Sequence, residues 1–530
     1  MEPGTGSPAR PIAVIGWDIG GVNTKVARVS NGALRAALGR PFELQHAPDT
    51  LPRILRELAA ETGVESGDVH AVTMTAELSQ TFRTKREGVA SVLDAVETAF
   101  PGAAVRVFTV RGDFIRPDEA RHDPLSVAAA NWSATARLVA RYHADALLID
   151  TGTTTTDVIP IVGGCVVAAG LTDPDRLASG ELVYTGVLRT PVEAIAFHVP
   201  FRGRPAGISA EGFALAGDVH LWRGDLAPGD YTVPTPDRRP ATREFAAERL
   251  ARAVCADREV IDEAGITAIA DALAHAQIAR VVRAIRQVRA RHPGLKTAVV
   301  TGVGAFLGRA AAQAAGLEVI PLADDLGADG ARCAPAACVA LLLDAASRPT
   351  TVVKVGGSLL AHREHLAVAT AAISELARHR SLVVVPGGGP FVDAVRDVDA
   401  RIGLSDDAAH WMAILGMDQH AHLLAEQIRD SMIAAGPAEI RAALASGRVP
   451  VLAPSTWLRT ADPLPHSWDI TSDSIAAWVA GQLGAERLVL LKPPSASGPD
   501  LVDRHFAAAV PPNVSVTIAA LDELAHLSLT

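Results

Sequence analysis

The sequence predicts an α/β protein: a duplicated α/β unit followed by a second α/β unit of three-layer α/β/α type. Short apolar runs end in glycine- and hydroxyl-rich turns around residues 15–25, 146–157 and 297–305, and stretches of helical period separate them. After Ala346-Ser347-Arg348-Pro349-Thr350, which reads as a linker, the same strand-to-glycine grammar starts afresh at residue 351. With 530 residues the chain has room for two to four domains, and 49% hydrophobic against 20% charged residues suits large buried cores rather than disorder.

The formal net charge of -10 argues against a general nucleic-acid partner. Arg280, Arg283, Arg286 and Arg289 recur every third residue and read as the solvated face of a helix. No apolar run approaches the roughly 18 residues of a membrane span, and residues 1–11 lack the apolar core of a signal peptide, so a cytoplasmic protein without a membrane partner is expected. Four cysteines in so long a chain make no disulfide framework. Cys333 and Cys338 have no matching Cys or His pair, so zinc is not expected.

The central stretch is Ile149-Asp150-Thr151-Gly152-Thr153-Thr154-Thr155-Thr156-Asp157. A buried strand runs into a tight polar turn whose N–H groups and hydroxyls face one small anion, flanked by acids that suit a divalent cation. Ile15-Gly16-Trp17-Asp18-Ile19-Gly20-Gly21-Val22-Asn23-Thr24-Lys25 repeats that grammar and adds a lysine. Only five of the 49 basic residues are lysine: Lys25, Lys85, Lys296, Lys354 and Lys492. Where arginine serves as the general cation, a retained lysine points to a compact ammonium for phosphate.

Taken in order, residues 12–29 read as two strands around the Asp18 turn. Residues 50–62 read as a helix, 69–75 as a strand, 87–99 as a helix, 105–110 as a strand and 131–142 as a helix. Strands over 158–162 and 166–169 follow the Asp150 turn. Gly217-Asp218-Val219-His220 falls in a polar, Gly/Pro-rich region lasting to about residue 240. Residues 242–291 read as one helical stretch, 297–305 as the third strand-to-glycine turn, with Gly302 and Gly304, and 306–315 as a helix.

Three such turns in one duplicated unit resemble the actin, sugar-kinase and Hsp70 superfamily. More closely, residues 16–25 and 151–157 resemble the hydantoinase/oxoprolinase-related proteins of tetrahydromethanopterin-linked one-carbon metabolism, over residues 10–346. Members of that group in archaeal methanofuran synthesis join an aminomethyl-furan-methanol diphosphate to the phenol of a tyramine derivative and release diphosphate. The resemblance implies that Gly20, Gly21, Asn23, Thr24, Asp150, Gly152, Thr153, Thr154, Thr155, Gly302 and Gly304 bind phosphate or nucleotide. It further implies that Lys25 stabilises the departing diphosphate and that Asp18 and Asp157 bridge Mg²⁺. Glu77, Glu181 and Asp218 are unranked candidates for the base that takes the phenolic proton, with Lys85 and Tyr184 behind them.

In the second half, Val352-Val353-Lys354-Val355-Gly356-Gly357-Ser358 is a strand delivering a lysine into a glycine turn. Val383-Val384-Val385-Pro386-Gly387-Gly388-Gly389-Pro390 is a second such strand. Residues 406–422 are helical and suit an acceptor cover, Thr471-Ser472-Asp473-Ser474 caps a helix, and Leu488-Val489-Leu490-Leu491-Lys492 is a strand ending in lysine. The combination resembles the amino-acid kinase family, with the unit expected over 350–530. The resemblance implies that Lys354 stabilises the transferred phosphoryl group, that Gly356, Gly357 and Ser358 cradle phosphates, and that Gly387, Gly388 and Gly389 bind the acceptor side. It also implies that Asp473 orients the lysines or Mg²⁺. Lys492 stands where the family often has a Thr-Asp pair, and the segment after Pro493 is short for the usual nucleotide-binding excursion.

The two resemblances together imply a bifunctional transferase using ATP and Mg²⁺. The C-terminal half converts the furan monophosphate to the diphosphate, and the N-terminal half consumes it. Small-molecule partners are expected, and the kinase resemblance is compatible with a homo-oligomer formed through that half. An ATP-dependent hydantoinase/oxoprolinase-like hydrolase fused to a small-molecule kinase, and a non-catalytic ligand-sensing pair, stay open as alternatives.

Overall fold

The computed structural model describes residues 12–378, 380–494 and 501–521, so the expectation for a leader at residues 1–11 lies outside them. The chain divides into two compact units, at Asp344/Ala345.

The first unit holds two sheets of matching topology. In the first, β1 (Val14–Ile19), β2 (Asn23–Ser30), β3 (Ala33–Pro41), β4 (Val69–Met74), β5 (Ala104–Phe108) and β6 (Phe114–Ile115) lie in the order β3-β2-β1-β4-β5-β6. The second contains β7 (Ala146–Thr151), β8 (Thr156–Val162), β9 (Cys165–Val166), β10 (Leu182–Val183), β13 (Thr297–Thr301) and β14 (Glu318–Pro321), in the order β10-β8-β7-β13-β14 with β9 also on β8. A separate hairpin, β11 (His198–Phe201) with β12 (Arg204–Gly207), lies between β10 and β13 in sequence. In each sheet an antiparallel hairpin leads, and later strands add in parallel to its first strand. This duplicated arrangement brings the hairpin turns of β1–β2 and β7–β8 to one cleft, as the sequence reading of a duplicated α/β unit expects.

The hairpins obey one register. Asp18 pairs with Lys25 and Ile19 with Thr24; Asp150 pairs with Asp157 and Thr151 with Thr156. The turns close identically, with Gly20 N–H donating to Asn23 O and Gly152 N–H to Thr155 O, both at 2.9 Å. The helix Ala334–Ala346 lies on β1 at Gly16, where a Cβ would stand 2.0 Å from Ala336 O.

Among the segments that differ from the sequence reading are two helical ones. Residues 217–220 are helical, in Ala216–Arg223, because the Asp218 carboxylate accepts the Leu215 N–H at 2.9 Å and caps that helix's first turn. The long helical stretch is two helices, Arg243–Arg252 and Glu263–Arg291. The second restarts at Asp262, whose carboxylate accepts the Gly265 N–H at 2.8 Å.

The second unit is a six-stranded parallel sheet: β15 (Thr350–Val355), β16 (Ser381–Pro386), β17 (Ser431–Ala434), β18 (Val449–Leu452), β19 (Arg487–Lys492) and β20 (Ser515–Ala520), in the order β17-β18-β16-β15-β19-β20. Its four inner strands, β15, β16, β18 and β19, are largely buried Val and Leu, as a parallel sheet covered on both faces requires, while the edge strands β17 and β20 are more exposed. Among the described residues no single helix is long and apolar enough to cross a membrane.

Gly16→Ala should lower the stability of the first unit by about 1–3 kcal/mol, read by chemical denaturation, because the added methyl pushes into the backbone of the Ala334–Ala346 helix.

Candidate active sites

The first unit's cleft has a volume of about 780 Å³. The first hairpin contributes Asp18, Gly20, Gly21, Asn23 and Lys25 to its lining; the second contributes Asp150, Gly152, Thr153, Thr154, Thr155 and Asp157; the third turn contributes Gly302. Thr24 and Gly304 do not line it. Thr24 alternates with Asn23 and Lys25 along β2, so its side chain points into the core, as its counterpart Thr156 does. Gly304 is a packing position, where a Cβ would stand 2.5 Å from Thr151 Cγ2 and from Val187 Cγ1. Gly302, at φ +89°, seats the acid: a Cβ there would lie 2.5 Å from Asp150 Oδ1.

Lys25 Nζ lies 3.4 Å from Asp18 Oδ2, while Asp18 Oδ1 is buried without a hydrogen-bond partner. Burial raises the Asp18 pKa against the pull of Lys25. Burial also penalises the Lys25 ammonium, but Asp18 and Asp150 outweigh it and hold its pKa above the ordinary lysine value. Burial, then the neighbouring Asp157 charge, pushes Asp150 up to about 7. Asp157 is committed elsewhere: its Oδ1 accepts from Arg176 Nη2 in a buried ion pair, and that guanidinium stacks 4.4 Å from the centre of the Trp132 ring. Of the acids on the two hairpins, those that a cation in this cleft would meet unpaired by arginine are therefore Asp18 and Asp150, a change from the Asp18–Asp157 pair read from sequence.

The threonine turn is propped from behind. A Cβ on Gly186 would stand 2.4 Å from Thr154 N, and Gln277 Nε2 donates to Thr185 Oγ1 (2.9 Å) and Gly186 O (2.8 Å). Sequence reading missed Arg176, Trp132 and Gln277, none of which sits in a motif.

The three candidate bases separate cleanly. Glu181 lies outside the cleft, and its carboxylate accepts from Ala169 N (2.8 Å), Gly170 N (3.0 Å) and Arg291 Nη2 (2.9 Å). Asp218 is likewise satisfied, by Leu215 N (2.9 Å), Arg249 Nε (2.8 Å) and Tyr231 OH (3.3 Å). Both are structural acids. Glu77 lines the cleft. Lys85 lines it too, with Nζ 3.1 Å from Asp173 Oδ2, and Tyr184 stands at its rim, 60% exposed.

In the second unit the chemistry gathers at the C-terminal ends of three parallel strands. Lys354 is the penultimate residue of β15 and Lys492 the last of β19. One carboxylate bridges them: Asp473 Oδ1 is 2.8 Å from Lys354 Nζ and Oδ2 is 2.9 Å from Lys492 Nζ. Burial disfavours the Asp473 charge, but the two lysines outweigh it and hold its pKa below the ordinary carboxylate range. Burial lowers the Lys354 pKa against the pull of Asp473. Asp473 is held in place by Asp503, which accepts from Thr471 N (3.0 Å), Thr471 Oγ1 (2.8 Å) and Ser474 N (3.1 Å). No motif marked Asp503, and residues 495–500, between it and Pro493, lie outside the described residues.

The two glycine loops touch, since a Cβ on Gly357 would stand 2.0 Å from Gly389 N. Gly357, Ser358, Gly388 and Gly389 border a cavity of about 300 Å³ whose far wall includes Ile414, Met417 and Trp468. Gly356 and Gly387 do not border it, because their N–H groups are used to join strand ends: Gly356 to Leu491 O (3.0 Å) and Gly387 to Val355 O (2.8 Å). His420 is buried beneath the loop, donating from Nδ1 to Gly387 O at 2.6 Å.

Residues 68–345 match the family model described as Hydantoinase/oxoprolinase, and residues 349–493 that of the Amino acid kinase family. The chain belongs to the hydantoinase/oxoprolinase family. A Methanocaldococcus jannaschii protein named (4-{4-[2-(gamma-L-glutamylamino)ethyl]phenoxymethyl}furan-2-yl)methanamine synthase is 35% identical over 340 residues, covering 63% of this chain and 98% of that protein. A Methanococcus vannielii protein of the same name is 31% identical over 201 residues, covering 37% of this chain and 90% of that protein. The M. jannaschii [5-(aminomethyl)furan-3-yl]methyl phosphate kinase is 28% identical over 143 residues, which are 26% of this chain and 63% of that kinase. This hydantoinase/oxoprolinase-family chain thus carries an amino-acid kinase domain behind its family domain.

Asp218→Asn should cost about 1–3 kcal/mol of stability in chemical denaturation, since it weakens the partner of a buried arginine. It should leave the affinity of the folded protein for inorganic diphosphate unchanged, measured by calorimetry. A loss of affinity as large as that of Lys25→Ala would put Asp218 in the binding machinery.

Proposed function

We propose that the chain is a bifunctional enzyme of methanofuran-type cofactor synthesis. Its C-terminal unit transfers a phosphoryl group from ATP to [5-(aminomethyl)furan-3-yl]methyl phosphate. Its N-terminal unit joins the resulting diphosphate to the phenol oxygen of a tyramine or tyrosine derivative and releases diphosphate. The observation that carries this reading is the pairing: one polypeptide contains likenesses to a synthase and to a kinase whose proposed product is the synthase's substrate.

The geometry suits both steps. In the kinase unit, two ammonium groups bridged by one carboxylate sit at the strand ends that lead into the glycine loop of Gly356, Gly357 and Ser358, where positioning and charge neutralisation serve phosphoryl transfer without a covalent intermediate. In the synthase unit, breaking the bond between the furan methylene and diphosphate is helped by the ring oxygen, so the protein must chiefly stabilise the leaving anion. Lys25, the hydroxyls of Thr153, Thr154 and Thr155, and the Gly21 N–H line the cleft for that purpose. Mg²⁺ fits at Asp18 and Asp150, on the strength of the unpartnered buried Asp18 Oδ1, and when bound would neutralise the diphosphate charge.

Incubation with Mg·ATP and the furan monophosphate, with and without tyramine or tyrosine derivatives, should give a diphosphate that disappears into a phenol ether, read by mass spectrometry. Lys354→Ala should stop the first step and leave ether formation from supplied diphosphate intact. Intact ATP and no diphosphate would overturn the kinase half of the proposal and direct testing to hydantoin and oxoproline turnover.

A further inference from the structure

The synthase reaction needs a group to take the phenolic proton, and the three acids read from sequence differ in what satisfies them. Glu181 and Asp218 are fully partnered by amides, hydroxyls and arginines away from the cleft. Glu77 is 1% exposed, lines the cleft, and has both carboxylate oxygens buried without a hydrogen-bond partner. An acid so placed is incomplete until a ligand donates to it. Its position is fixed from behind, since Gly88 packs where a Cβ would stand 2.5 Å from Glu77 Cα and O.

We infer that Glu77 is the catalytic base of the N-terminal unit, receiving the proton of the acceptor phenol as that oxygen bonds to the furan methylene. The inference rests on the synthase reading above. In the step, the phenol O–H proton passes to a Glu77 oxygen and the phenol oxygen forms a bond to the methylene carbon. The bond from that carbon to the diphosphate oxygen breaks, and its electron pair leaves with diphosphate. Glu77 then loses its proton to solvent.

The surroundings suit a neutral donor better than a cation. Lys85 Nζ lies 4.0 Å from Glu77 Oε1, and Asp173, on the helix Asp173–Ser179, holds that ammonium at 3.1 Å. A second ammonium at Glu77 would be repelled by Lys85, whereas a phenol passing through phenolate character is stabilised by it. Burial pushes Glu77 up to about 7; the nearby backbone amides of Glu77 and Ala129, too poorly placed to complete hydrogen bonds to it, and the Lys85 charge oppose that rise, and Asp173 adds to it. A base near neutrality matches proton transfer at working pH.

The test supplies the furan diphosphate directly and measures ether formation by the full chain and by Glu77→Gln, with tyramine and with ring-fluorinated tyramines of increasing phenol acidity. Thermal melts and diphosphate affinity check that the variant is folded. The expected result is a loss of about 100-fold or more with tyramine, shrinking stepwise as the phenol becomes more acidic. The parent kcat/KM should rise with pH through about 7, as Glu77 ionises, and that limb should vanish in Glu77→Gln. Activity within threefold of the parent, or a loss equal for every phenol, would overturn the assignment. If the parent chain itself forms no ether from the supplied diphosphate, the synthase reading fails, and the assignment fails with it.

Discussion

The first unit depends on one backbone closure made twice. Gly20 N–H to Asn23 O and Gly152 N–H to Thr155 O fold each hairpin tip onto itself, which brings the penultimate acid of one strand opposite a residue in the first few positions of the next. The consequence differs in each copy. Asp18 meets Lys25 through one oxygen, and its other oxygen is left without a partner. Asp150 meets Asp157, two like charges that need outside help, and Arg176 supplies it to Asp157 alone. Asp150 is left as a further acid that no arginine compensates, and Gly302 is the residue that lets the third turn pass beside it.

The second unit solves a related problem differently. A parallel sheet ends all its strands on one edge, so its chemistry collects there without any hairpin. A buried lysine and a partly buried one would repel each other; Asp473 turns that repulsion into a three-centre arrangement, and Asp503 fixes the helix start that carries it. The same economy governs glycine use. Gly356 and Gly387 donate to neighbouring strand ends and make the loops rigid, whereas Gly357, Gly388 and Gly389 face the cavity. Adjacent members of one motif thus divide between holding the loop and presenting it.

Within the first unit's cleft, burial without a partner sets Asp18 and Glu77 apart from the saturated acids Glu181 and Asp218. Asp18 Oδ1 and both Glu77 oxygens lack partners inside the cleft, while acids of the same type a few residues from equally plausible motifs are saturated. A folded protein leaves a buried carboxylate unsatisfied only rarely. Two in one cleft, near a lysine-bearing turn and a threonine-bearing turn, describe a site made for a ligand that brings both anionic oxygens and a hydrogen-bond donor.

What the sequence by itself determined is what local chemistry determines. Apolar runs ending in Asp-Thr-Gly-Thr, Asp-Ile-Gly-Gly or Lys-Val-Gly-Gly specify strand and turn within a few residues, so the duplicated fold, the parallel second unit and the turns at Asp18, Asp150, Lys354 and Asp473 were legible. The 216–223 helix and the break before Glu263 were not, because an acid acting as a cap resembles any loop acid until its N–H partner is placed. Tertiary structure alone decided which charges are spent. Arg176 on Asp157, Arg249 on Asp218, Arg291 on Glu181 and Asp503 on Thr471 join residues 19, 31, 110 and 32 positions apart, and no spacing rule connects them. Whether an acid is structural or reactive depends on whether its charge is already compensated, and that compensation comes from whichever distant segment the fold brings beside it.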